Sequence, residues 1–187
     1  AWTRKCNYYR DKLASVDCLV PNEIVKMISH LIPDNFTITT DVGQNQVWVA
    51  QSFQTKPNQR VLFSGGHGAM GFSLPAAIGA YYATKQPVLC ITGDGGLQMN
   101  MQELQFIVRE NIPVKIFLLN NNSLGMIRHF QEMYFDSNYA LTVGDHGFTN
   151  PDFIQVASAY GIRSYALDNS EDVNNYIAVL SDEHPAF

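Results

Sequence analysis

Charge is scarce in this chain. Lys, Arg, Asp and Glu make up 16% of its 187 residues, against roughly 25% in a typical soluble domain, which points to a surface partly covered by other protein. Basic charge is scarcer still: 12 Lys and Arg stand against 17 Asp and Glu, a balance of −5 with His neutral. Nucleic-acid binding by phosphate neutralisation needs clustered Lys and Arg, so that class is excluded. No apolar run approaches ~18 residues, and the opening residues do not read as a signal peptide, so neither a membrane span nor secretion is expected. Cysteine is sparse too. Cys6, Cys18 and Cys90 are odd in number and fit neither a zinc spacing nor a disulfide framework, which makes the reducing cytoplasm the default compartment. Cys90, inside Pro87-Val88-Leu89-Cys90-Ile91, reads as a core thiol. Repeats and low-complexity tracts are missing, which leaves one ordinary globular domain with a large core.

The pattern alternates. Residues 1–20 mix polar and aromatic side chains (Trp2, Tyr8, Tyr9, Arg10) and read as a linker or lead-in from a preceding domain. Pro21 opens a helix with Ile24, Ile28 and Leu31 on one face, and the domain is expected to run over 21–187. Strands are expected at Phe36–Thr40, Val61–Phe63, Val88–Thr92, Val114–Asn120 and Arg163–Leu167. Helices are expected over Leu74–Ala83 and Leu97–Val108, from Asn150-Pro151 to near Gly161, and from a Ser170 cap to about Asp182. Short apolar strands alternating with helices indicate an α/β fold, a three-layer α/β/α arrangement around a mostly parallel sheet. The chain begins at Ala1 and stops at His184-Pro185-Ala186-Phe187, where a sixth strand is expected to start. The reading is therefore a six-stranded sheet with its last strand truncated, in a piece of a longer protein.

In such a sheet, ligands bind beyond the carboxyl ends of the strands. The loops there are Asp41-Val42-Gly43-Gln44-Asn45, Ser64 through Gly71, Gly93-Asp94-Gly95-Gly96 and Asn120 through Gly125, all rich in glycine or amides and poor in charge. That composition suits backbone N–H groups approaching a polyanion. Asp94 follows one strand and Asn121 ends the next, so a βαβ crossover brings a carboxylate and an amide oxygen to the same sheet edge. Mg²⁺ takes about six hard oxygens, commonly one or two carboxylates with phosphate, carbonyl and water, and a helix N-terminus favours the phosphate. The plainer alternative makes Asp94 a turn residue and Asn121 a helix cap.

Gly93-Asp94-Gly95, followed after 24 residues by Asn120-Asn121, resembles the thiamine-diphosphate motif of thiamine-dependent enzymes. Thr40 through Gln46, Ser64 through Phe72 with Leu74-Pro75-Ala76-Ala77, and Leu118 through Asn121 with Leu124-Gly125-Met126 resemble the acetohydroxyacid (acetolactate) synthase branch of that superfamily. The resemblance implies the C-terminal cofactor domain of a transferase that decarboxylates pyruvate and joins the product to a second 2-keto acid, as in branched-chain amino-acid biosynthesis. It implies Mg²⁺ on the Asp94 and Asn121 side chains and the Ser123 carbonyl. Gly43, Gln44, Asn45, Gly93, Gly95 and Gly96 would line the diphosphate. Gly68 and Met70 would hold the aminopyrimidine, with Met70 wedged between the rings, and Leu124, Gly125 and Met126 would close over the cofactor. It implies a homodimer or larger assembly. It implies also that the activating glutamate comes from a missing domain, so no catalytic residue is expected here and the fragment alone is inactive. Two positions depart from the pattern: Asn45 stands where those synthases usually carry His, and Phe130 where most carry Trp. His67 and His129 read as loop or surface residues.

Other readings stay open. Gly66-His67-Gly68-Ala69-Met70-Gly71 fits G-x-G-x-x-G, and Asp94 lies 23 residues beyond it, near where a dinucleotide-binding acid falls. Against that, Asn121 has no role in such a scheme. Within the thiamine superfamily, a carboligase with another acceptor such as a keto sugar, a pyruvate oxidase or decarboxylase, and an orphan cofactor-binding module remain.

Overall fold

A computed structural model describes residues 20–167, 173 and 177–187. Pro21–Leu31 forms α1, with Pro at its first position, and it stops where Ile32 turns extended before Pro33. Then come β1 (Thr37–Thr40), α2 (Gln44–Ser52), β2 (Arg60–Phe63), α3 (Ser73–Thr84) and β3 (Val88–Gly93). They are followed by α4 (Asp94–Asn100), α5 (Glu103–Arg109), β4 (Val114–Leu119) and α6 (Gly125–Tyr134). A 3₁₀ turn (Gly144–His146), α7 (Phe153–Ala159) and α8 (Ile177–Leu180) complete the described chain.

All four strands are parallel, in the order β2-β1-β3-β4. The two central strands are buried on both faces, and their side chains divide by the period of two. Val88 and Cys90 enter one apolar core with Leu74, Leu104, Ile107 and Phe153, whereas Leu89 and Ile91 enter another with Ile24, Ile28, Ile38 and Val49. Helices thus cover both faces of the sheet, α3 to α5 and α7 on one and α1 and α2 on the other. Cys90 is the core thiol expected, and burial pushes its pKa up to about 12.

The sheet differs from expectation at its far edge. Neither Arg163–Leu167 nor the chain end forms a strand. Ala186 instead makes single parallel bridges to Lys115 on one side and Arg163 on the other, carried by Ile116 N–H to Ala186 O at 2.8 Å and Phe187 N–H to Arg163 O at 2.9 Å. The described sheet therefore has four strands, with two further positions marked by bridges. The helix expected over Leu97–Val108 breaks in two. Asn100 Nδ2 donates to Gly71 O at 2.8 Å, and the next turn restarts with Leu104 N–H to Met101 O at 3.1 Å. Two helices were not expected, α2, whose first turn is rich in Gln and Asn, and α6, which opens on Gly125 directly after the amide-rich loop. The helix expected from Asn150 begins later, with Asp152 as its cap accepting from Gln155 N at 3.1 Å. Ser170, Cys6, Cys18 and the stretch before Val20 lie outside the described residues.

Candidate functional site

From β1 the chain passes to β2 on one side, and β3 then pairs on the other. The strand order reverses between β1 and β3, the place where open α/β sheets bind ligands beyond the strand ends. A pocket of about 60 Å³ sits there. Its wall contains Gly43, Gln44 and Asn45 from the β1 loop, and Gly93, Asp94, Gly95 and Gly96 at the end of β3. Asn121, Ser123, Leu124, Gly125 and Met126 come from beyond β4, and Met70 from the loop after β2. Four loops distant in sequence thus meet at one point. Gly68 alone of the expected set is not on the wall; it lies exposed in the β2 loop with open space around it.

A buried carboxylate ties these loops together. Asp41 Oδ1 accepts the N–H groups of Val42 (2.9 Å) and Gly71 (2.8 Å), and Oδ2 accepts Ser73 N–H (2.9 Å) and Ser73 Oγ–H (2.6 Å). Charge-assisted bonds of this kind are about twice as strong as neutral ones. They fasten the β1 loop to the start of α3 and fix the approach of Met70. They also decide against dinucleotide binding. That reading puts a pyrophosphate at the helix N-terminus after G-x-G-x-x-G, and here the Asp41 carboxylate already occupies that end. Gly96 packs against the same carboxylate so closely that a Cβ would lie 2.7 Å from Asp41 Cγ. Next to it, a Cβ on Gly95 would meet Leu124 Cδ2 at 2.5 Å and Met70 Cε at 3.7 Å, so Met70 and Leu124 close over bare backbone.

Asp94 is the single charged side chain on the pocket wall. It is buried, its Oδ1 accepts Gly95 N–H at 2.9 Å, and its Oδ2 accepts Ser123 N–H at 3.0 Å. Asn121 donates Nδ2 to Gln44 Oε1 at 3.0 Å, which turns its oxygen away from that bond. With no Lys or Arg on the wall, a diphosphate placed beside Asp94 would be repelled unless a cation lay between them. One carboxylate, an amide oxygen and a glycine cradle fit a metal-bridged diphosphate, the metal completing its shell with phosphate and water. A cage of three or more His, Cys, Asp or Glu side chains does not occur among the described residues. The donor set thus suits Mg²⁺ shared with a phosphate rather than an all-protein site.

His67 and His129 are loop and surface residues, as expected, and Phe130 also lies off the pocket wall. His67 is exposed in the β2 loop. His129 and Phe130 lie on the open side of α6, His129 Nδ1 at 3.7 Å from Glu132 Oε2 and Phe130 against the Tyr134 ring at 5.7 Å between centroids. Glu103 and Glu110 are not on the pocket wall. A larger cavity of about 520 Å³ adjoins, sharing Trp48, Leu119 and Asn121 with the first. Its wall is mostly apolar and holds no glycine cradle, so volume does not identify the chemistry here. The sequence reading missed Asp41 as the organiser, Trp48 and Ile127 on the wall, and Asn150, whose Nδ2 donates to Asp94 Oδ2 at 2.8 Å. A signal for Asn150 existed: Asp152 with Gln155 three residues on is the better cap pair, which frees the asparagine before Pro151.

Residues 41–187 match the family described as thiamine pyrophosphate enzyme, C-terminal TPP binding domain. The chain is 39% identical over 166 residues to an acetolactate synthase large subunit of Lactococcus lactis, covering 88% of this chain and 28% of that protein. It is 38% identical over 178 residues to the acetolactate synthase isozyme 2 large subunit of Escherichia coli, covering 92% and 32%. To an acetolactate synthase of Arthrospira platensis it is 46% identical over 138 residues, covering 73% and 23%. The matched region thus spans 23% to 32% of these relatives' length.

Proposed function

The chain belongs to the thiamine pyrophosphate enzymes, as a C-terminal TPP-binding domain, and on that premise we propose that it carries the diphosphate and metal half of the cofactor site in an acetolactate-synthase-like enzyme. The observation that carries this reading is the meeting of Asp94, Asn121 and the glycine cradle at the switch point of the sheet, on a wall with no other charge. Asp94 and Asn121 side chains and the Ser123 carbonyl would hold Mg²⁺. Gly43, Gln44, Asn45, Gly93, Gly95 and Gly96 would receive the diphosphate, and Gly68, Met70, Leu124, Gly125 and Met126 the rest of the cofactor. Thiamine diphosphate, once bound, would supply both a nucleophilic carbon and the electron sink that decarboxylation of a 2-keto acid needs. The chain's own residues bind, orient and cover it. Met70 and Leu124, packed over Gly95, would cover the bound cofactor.

The domain is proposed to span residues 21–187, since α1 contributes Ile24, Val25 and Ile28 to one of the two cores, with 1–20 leading in from a preceding domain. In the whole protein the bridges at Ala186 would extend into a fifth and sixth strand. The activating carboxylate is proposed to come from another domain, because Asp94, the acid on the wall, is the residue proposed to hold the metal. Ile127, Phe130, Met133, Tyr134 and Phe135 stand exposed along one side and the end of α6. Exposed apolar area of this kind marks a surface covered in the working protein, which supports a homodimer or larger assembly. No described helix is long and apolar enough to cross a membrane; a cytoplasmic enzyme acting on small 2-keto acids is proposed.

The deciding experiment supplies the full-length enzyme with pyruvate, Mg²⁺ and thiamine diphosphate and identifies the product. Acetolactate is expected. Acetaldehyde or acetyl phosphate would replace the reading with a decarboxylase or an oxidase. Carboligation seen only with an added sugar ketone would move the acceptor to another class, consistent with Phe130 in the place of Trp.

A further inference from the structure

Asp94 is held from three sides. Beyond the Gly95 and Ser123 amides, its Oδ2 accepts Asn150 Nδ2 at 2.8 Å, from a residue 56 positions away between the 3₁₀ turn and α7. The orientation of that amide is itself fixed. Asn150 Oδ1 accepts Gln98 Nε2 at 2.9 Å, and Gln98, one turn after Asp94 on α4, also donates to the Asp94 carbonyl at 3.4 Å. A backbone carbonyl only accepts, so Gln98 presents its nitrogen. Asn150 must then present its oxygen to Gln98 and its nitrogen to the carboxylate. Asn150 Nδ2 also lies 3.1 Å from both Asn120 Oδ1 and Asn122 Oδ1. Two hydrogens serve three oxygens there, and the charged one holds the strongest claim.

A carboxylate offers about four lone-pair sites, two on each oxygen. Gly95 takes one on Oδ1, and Ser123 and Asn150 take both on Oδ2, which leaves one site on Oδ1. We infer that Asn150 is a positioning residue that leaves the Asp94 carboxylate a single free site, and that Gln98 keeps the Asn150 amide turned for this task. The inference rests on the reading that Asp94 holds the metal. Its chemical consequence is selectivity. Mg²⁺ demands near-ideal octahedral geometry with one-oxygen carboxylate ligation, whereas Ca²⁺ takes six to eight oxygens and accepts both oxygens of one carboxylate. Without Asn150, a site on Oδ2 opens and the carboxylate is released to bind by both oxygens.

The test is calorimetric titration of the full-length enzyme, in the presence of thiamine diphosphate, with Mg²⁺ and separately with Ca²⁺. Partners that orient a metal ligand are worth roughly 10–100-fold in affinity. Asn150→Ala should lower Mg²⁺ affinity by about that factor and Ca²⁺ affinity several-fold less, with the apo melting temperature little changed. Gln98→Glu, equal in size but unable to donate to Asn150 Oδ1, should shift the ratio in the same direction. The double variant should be no worse than Asn150→Ala. Gln98→Glu decides alone if Asn150→Ala fails to fold. Mg²⁺ affinity within twofold of wild type in the variants that fold, or an equal loss for both ions with a lowered apo melting temperature, would overturn the inference. Asp94→Asn separates the two levels. If it abolishes Mg²⁺ binding while the Asn150 and Gln98 variants behave as wild type, only the positioning role falls. If it leaves Mg²⁺ binding intact, the metal reading falls and this inference with it.

Discussion

Replacing Asp41 by Asn changes one atom and removes one charge, yet it should be among the most damaging substitutions in the domain. Four donors converge on this buried carboxylate, all at 2.6–2.9 Å, those of Gly71 and Ser73 buried and that of Val42 half-buried. An amide accepts on one oxygen only. If its NH₂ faces Val42 and Gly71, two backbone N–H groups lose their acceptor. If it faces Ser73, the hydroxyl can turn round to accept, and only Ser73 N–H is orphaned. The second arrangement is therefore the cheaper one. An orphaned buried N–H costs about 1–3 kcal/mol. The two bonds that survive on the amide oxygen drop from charge-assisted to neutral strength, a loss of about 1 kcal/mol each. The expected destabilisation is about 3–5 kcal/mol, read from the urea midpoint of the apo full-length protein at constant m. Ser73→Ala loses only the hydroxyl bond and should cost about half as much. Cofactor affinity should fall in parallel, since Gly71 is anchored next to Met70. A loss below about 1 kcal/mol for Asp41→Asn, or a larger effect for Ser73→Ala, would refute the account of Asp41 as the organiser of the loops.

Gly125→Ala acts differently, because the atoms it strikes are mostly side-chain ends. A Cβ there would lie 2.1 Å from Gln44 Oε1 and 2.8 Å from Asn121 Nδ2. Gln44 can swing away, which breaks its bond to Asn121, so stability should change by less than about 1 kcal/mol. Mg²⁺-dependent cofactor affinity should fall about tenfold; calorimetry showing unchanged affinity would contradict the role given to the Gln44–Asn121 pair. Lys115 is buried on β4, where it donates to the carbonyls of Asp182 (2.8 Å) and His184, and desolvation pulls its pKa down from 10.5 to about 8. The unfolded chain then holds this proton more tightly, so between pH 8 and 10.5 unfolding takes up protons and stability rises with pH. Urea midpoints across that window should rise more steeply in wild type than in Lys115→Met, and equal slopes would remove Lys115 as the cause.

The strands and the site loops were legible in the sequence because one rule governs both. A parallel strand buried on two faces needs a mostly apolar run, and Val88–Ile91 and, apart from Lys115, Val114–Leu119 supply it. Whatever follows such a run is brought to one sheet edge by topology alone. The spacing of Asp94 and Asn121 is therefore enough to pair them. Secondary structure that depends on tertiary support was not legible. Gln44–Ser52 has no strong apolar stripe and no capping side chain, and it is helical because Val49 and Asn45 are buried against the sheet. The strand expected at Arg163–Leu167 has the right residue types but only one bridging neighbour, Ala186, and a strand without a ladder does not form.

The same distinction runs through the site. Residues that would touch the ligand follow strands and carry a motif, whereas residues that hold those ligands in place come from wherever the fold supplies a partner. Asn150 reads locally as a helix opener, and its bond to Asp94 exists only because the segment before α7 crosses the ends of β3 and β4. Gln98 reads as an unremarkable helix position, yet it selects which way the Asn150 amide faces. Asp41 sits next to a glycine motif and still has its function set by Ser73 and Gly71, 32 and 30 residues away. A metal site built on one carboxylate depends heavily on such supports. With several acidic ligands, a misaimed oxygen is replaced by its neighbour. In the proposed site Asp94 is the one carboxylate, so no acidic neighbour replaces a misaimed oxygen, and the residues that set its aim would govern the metal affinity.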